Sequence, residues 1–189
     1  MMHSRIARQW LRSAGLVLLA VVPPVMGADP SGPVTGFLAR FQKEYHVSSV
    51  TSTADHLEQD SLRLDAAGLQ QATIHRLKSR RPVRPESNTH LRLALSVYVY
   101  EDATAAAAAF AEFRDTEVKT EEMLRSKAPL LALRRAAEIY LLDGSCMFST
   151  KRMNAIQQEL IRFLFPAEPP PASQQLHRRC GGIIVAPPD

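Results

Sequence analysis

The amino-acid sequence predicts an α+β domain, an antiparallel sheet with helices packed mainly on one face, and three observations carry that expectation. Apolar residues alternate without a break from His90 to Tyr100. An alanine-rich block starts behind an aspartate at Asp102. Prolines punctuate the chain so that 34–81, 86–128 and 130–165 are free of them. At 189 residues, with 46% hydrophobic and 22% charged residues, the chain suits one globular domain.

Residues 1–27 read as an export signal. Arg5, Arg8 and Arg12 form a basic start, Ala14–Val22 is a nine-residue apolar run, and Pro23 and Pro24 break the helix. Cleavage is expected after Gly27 or Ala28. The run is far short of the roughly 20 residues a spanning helix needs. The predicted organisation is therefore a signal peptide 1–27, an α+β domain 28–165 and a proline-rich tail 166–189. The mature protein is expected to be soluble, without a transmembrane span, and periplasmic or secreted. Without the first 28 residues, the formal charge drops from +4 to +1. A near-neutral body gives no global electrostatic reason to bind nucleic acid.

Each element has its own signal. Phe37, Leu38, Phe41 and Tyr45 share one helical stripe, which predicts a first helix over 34–46. Val47–Thr53 is rich in β-branched residues and reads as a strand. Residues 54–78 are ambiguous: Leu62 and Leu64 alternate with Arg63 and Asp65, and Ala66-Ala67-Gly68 would turn the chain into a second strand through Ile74, but a helix over Asp65–Leu77 fits nearly as well. In His90–Tyr100, Leu91, Leu93, Leu95, Val97 and Val99 take one face and Tyr98 and Tyr100 the other. Asp102 is the expected N-cap of the next helix, whose alanines imply close packing on a sheet. Glu138–Leu142 and Ser145–Ser149 read as a hairpin around Asp143-Gly144, with Leu141 opposite Cys146 and Ile139 opposite Phe148. Tyr140 and Met147 would share its other face. A last helix is predicted over Lys151–Phe165, stopped by Pro166.

Cys146 and Cys180 are the only cysteines, so an exported chain is expected to join them in one structural disulfide. No cofactor and no metal are expected: no H-E-x-x-H occurs, and the densest cluster, His56, Glu58 and Asp60, reads as solvated loop. Ser145 lacks a nucleophile elbow and no glycine-rich phosphate loop exists. Arg178 and Arg179 read as surface charge.

Two surfaces stand out. Arg76, Lys78, Arg80, Arg81 and Arg84 put five basic residues in nine positions, a segment that Pro82 and Pro85 would stiffen as an exposed loop. Tyr98, Tyr100 and Tyr140 would share a sheet face as a recognition surface, with Arg80, Arg81 and Arg84 at its rim. The leading expectation is a non-enzymatic binding or protein-interaction domain of the cell envelope, its partner an envelope protein or small ligand. The alternatives are a small hydrolase with a site assembled from distant residues, and a structural accessory protein of an envelope complex.

Overall fold

Alternation and capping build most of the molecule. The computed structural model describes residues 31–53, 64–119, 128–181 and 184–185; the leader and the cluster His56, Glu58 and Asp60 lie outside them. In chain order the elements are α1 (Ser31–Phe41), β1 (Tyr45–Thr53), β2 (Leu69–Pro82), β3 (His90–Tyr100), α2 (Ala103–Lys119), β4 (Leu130–Arg135), β5 (Glu138–Asp143), α3 (Thr150–Leu164), β6 (Gln175–Arg178) and β7 (Ile184–Val185). The described strands form one sheet in the order β1-β2-β3-β5-β4-β6-β7, and each neighbouring pair is antiparallel. The fold class is α+β.

Helices occupy both faces. On one, α1 and α3 cover a core of Phe37, Leu77, Leu95, Leu131, Tyr140 and Leu160. These helices also meet each other, through the edge-on rings of Phe37 and Phe163 and a 2.7 Å ion pair from Arg40 to Glu159. On the other face α2 packs on β3, β4 and β5. Its Ala106 and Ala109 have no side-chain bulk to hold the helix off the sheet, and Phe110 and Phe113 fill the remaining space. Asp102 caps it as expected, its Oδ1 accepting from the backbone N–H of Thr104 (2.7 Å) and Ala105 (2.8 Å). Ser149 does the same for α3 by accepting from Arg152 N–H.

Four expectations are corrected. The first helix ends at Phe41, where the carbonyl of Phe41 accepts from Glu44 N–H; Tyr45 is buried as the first residue of β1 instead. The basic segment is strand as far as Pro82, because Leu77 and Ser79 face inward between outward Arg76, Lys78 and Arg80. The hairpin lies one strand earlier than expected: β4 and β5 meet around Ala136-Ala137, with Ala136 at φ +50°. Gly144 instead packs closely: a Cβ there would lie 2.6 Å from the Met153 sulfur of α3 and 3.1 Å from the Pro129 ring. Finally, the segment after Pro166 is part of the sheet, for β6 is buried throughout beside β4. Arg178 is therefore not surface charge. It is buried, donates to the carbonyl of Ala128, and pairs with buried Glu117 of α2.

The disulfide between Cys146 and Cys180 is present, with the two Cα atoms 5.6 Å apart. It joins the turn after β5 to the end of β6.

Candidate functional site

The three tyrosines do not form a surface. Tyr98 and Tyr100 are 3% and 2% exposed, in the same core as Ala106, Ala109 and Phe110 of α2. Tyr140 pairs across the sheet with Val97, not with Tyr98, and so falls in the opposite core with no exposure at all. Burial pushes the ionisation of Tyr100 and Tyr140 well above the ordinary phenol range. Their hydroxyls are used internally, Tyr100 donating to the carbonyl of Asp65 (2.8 Å) and Tyr140 to Glu138. Met147 sits in the turn after β5 and is exposed. Tyr100 and Tyr140 are core aromatics whose polar tips found partners.

The arginines separate as well. Arg80 is exposed but committed: its Nε and Nη2 donate to the carbonyl of Gln42 (3.3 and 3.2 Å), just past the end of α1. A cation there meets the negative end of the helix dipole. Arg81 lies at the end of β2, and Arg84 in the loop 83–89, where its carbonyl accepts from Ser87. The useful cations are their neighbours in register.

Those neighbours line a trough on the α2 face, where α2 does not reach. The paired rows His46–Lys78–Arg92 and Ser48–Arg76–Ala94 cross β1, β2 and β3. Together with Asp143 and Gly144 at the β5 side they enclose about 580 Å³. His46, Arg76, Lys78 and Arg92 are all exposed. Strands lie about 4.8 Å apart and same-face residues about 6–7 Å apart, so one carboxylate above the trough is within reach of two or three cations. Arg76 and Lys78 were visible in the sequence as a basic segment. Arg92 and His46 join them only through strand register.

A second cavity, of about 260 Å³, lies on the opposite face between α1 and the same three strands. Val34, Val97 and Val99 give it apolar walls, and the rest is polar and uncharged. Ser49 Oγ lies 2.7 Å from His75 Nδ1, Thr51 and Thr73 share a 3.0 Å hydroxyl contact, and Gln71 Nε2 donates to Thr73. Burial lowers the pKa of His75, favouring a neutral ring. Among the described residues no carboxylate is hydrogen-bonded to that ring.

No family model, no curated protein and no solved structure matches the chain. The site therefore stands on its own geometry. Among the described residues, no three His, Cys, Asp or Glu side chains converge as a metal site would require, and no helix is long and apolar enough to cross a membrane.

Proposed function

We propose that the protein is an exported, non-enzymatic interaction domain of the cell envelope that engages an acidic partner protein through the trough of β1, β2 and β3. One observation carries the reading: Arg76, Lys78 and Arg92 rise side by side from adjacent strands on a stretch of sheet that no described helix covers. Cations so placed repel one another, and a carboxylate-bearing partner relieves that repulsion. The leader pattern of residues 1–28 and the Cys146–Cys180 disulfide support delivery to an oxidising compartment.

A small hydrolase has the Ser49–His75 pair in its favour. Against it, Ser49 lies mid-strand in unbroken pairing with β2, without the sharp turn that presents a nucleophile. Among the described residues the ring is also not hydrogen-bonded to a carboxylate that would fix a catalytic tautomer. Binding is the better-supported activity.

Fluorescein-labelled poly-L-glutamate is a suitable probe, followed by anisotropy. Raising salt from about 0.1 to 1 M should release it, because the Debye length falls from about 10 to 3 Å. Arg76→Ser with Lys78→Ser should weaken binding about tenfold or more while leaving the melting curve in place, since each exposed pair contributes up to about 1 kcal/mol. Equal binding by wild type and double variant would overturn the proposal, as would capture of anionic vesicles in place of the polypeptide.

A further inference from the structure

The trough opens beside a sheet edge that, among the described residues, carries none of the usual protections. Edge strands are normally short, charged, bulged or interrupted by proline, because a bare row of N–H and C=O groups pairs with any extended chain. β1, at one end of the sheet, does not follow that rule. It is nine residues long (YHVSSVTST), has no proline and no Asp, Glu, Lys or Arg, and runs in one unbroken register against β2 from Tyr45↔Ser79 to Thr53↔Gln71. Its Val50 is 53% exposed, and no described strand lies beyond it.

We propose that the acidic partner binds by strand addition: an extended segment pairs with the outer edge of β1 and places alternate carboxylates over the trough. The inference rests on the acidic-partner reading above and adds the geometry of recognition. Backbone pairing supplies affinity without sequence preference; side chains on the two faces supply the preference. Successive residues of an added strand point to opposite faces. One set lies beside His46 and Ser48, about 4.8 Å from β1 and about 10 Å from β2, a distance that the long side chains of Arg76 and Lys78 span. The other set lies beside the hydroxyls of Ser49 and Thr51, where small or hydroxylated residues fit. The recognised pattern is Asp or Glu at every second position with small polar residues between.

A second copy of this chain is the poorer occupant. Its own β1 has no carboxylate to offer, so β1-to-β1 pairing leaves both troughs unmatched.

The test uses a labelled nine-residue peptide alternating glutamate and threonine, made unmodified and with N-methyl groups on alternate backbone nitrogens in each of the two phases. Strand addition needs only one set of N–H groups. One phase should therefore lose about tenfold or more in affinity while the other binds like the unmodified peptide. Amide exchange in Tyr45–Thr53 should slow on binding. If both phases bind as well as the parent and β1 exchange is unchanged, attraction to the trough stands and strand addition is overturned. If the unmodified peptide does not bind, or binds Arg76→Ser/Lys78→Ser equally well, the acidic-partner reading fails first. A dimer that the peptide cannot displace would assign the edge to a second copy and overturn the proposal.

Discussion

His75 and His177 both sit where burial lowers their pKa from the ordinary 6.5, on the α1/α3 face of the sheet. His177 makes its hydrogen bond to Gln175 Oε1 at 3.0 Å, within β6. A histidine with a depressed pKa binds fewer protons folded than unfolded in the interval below 6.5. Stability is therefore complete above that value and declines as pH falls through the interval. Urea midpoints should drop between about pH 7.5 and about pH 5.5, and His177→Gln should make the drop shallower. A midpoint that holds or rises on acidification would contradict this. The tyrosines show what alternation does and does not reveal at this scale. It correctly set Tyr98 and Tyr100 opposite the Leu93–Val97 stripe, but which side a residue faces does not say whether that side is covered. The cover is α2, whose alanines already pointed to a sheet within close reach.

The elements that could be read were those with a clean period. β3 matches its expected bounds because leucine and valine recur at every second position, although both its faces are covered, and α3 is shifted by only a residue because its apolar stripe stands against a polar face. β4 escaped reading for the opposite reason. Leu130, Leu131, Ala132 and Leu133 are buried on both faces, so no alternation marks them. Its turn, Ala136-Ala137, also carries no turn residue, whereas Asp143-Gly144 carries a strong one and is not a turn of the sheet. That turn gives a prediction of its own. Ala136 holds φ +50°, a left-handed conformation costing an L-residue roughly 1–2 kcal/mol. Ala136→Gly removes the clash, at some cost in unfolded-chain entropy, and should raise stability by about 0.5–1 kcal/mol in urea titrations. A loss of stability would show that the turn is not strained.

For the whole molecule, the disulfide is the one long-range link that was readable, because a chain with two cysteines leaves one internal pairing. Its role was only half visible: it fastens a strand of the sheet, not a loose tail. Replacing Cys146 and Cys180 with serine should lower unfolding free energy by about 2–4 kcal/mol. Unchanged stability under non-reducing conditions would mean that β6 holds its place unaided. The candidate site was legible to the same partial degree. A cluster of cations can be counted along a sequence, but its union with His46 and Arg92 depends on the strand register that sets Lys78 opposite both of them.

Strand order also imposes a timetable. β6 covers the outer edge of β4, yet about forty residues separate the two along the chain. Synthesised N-terminus first at about 5–20 residues per second, β4 waits some 2–8 s for its second neighbour to be made. Throughout that interval a run of leucines with an open edge is available to any passing chain. Cys146 waits alongside it, without its partner until Cys180 arrives. The covalent bond between them thus records that the last strand has been made, and a chain cut short before it is left with a bare, sticky β4 as the mark of an unfinished product.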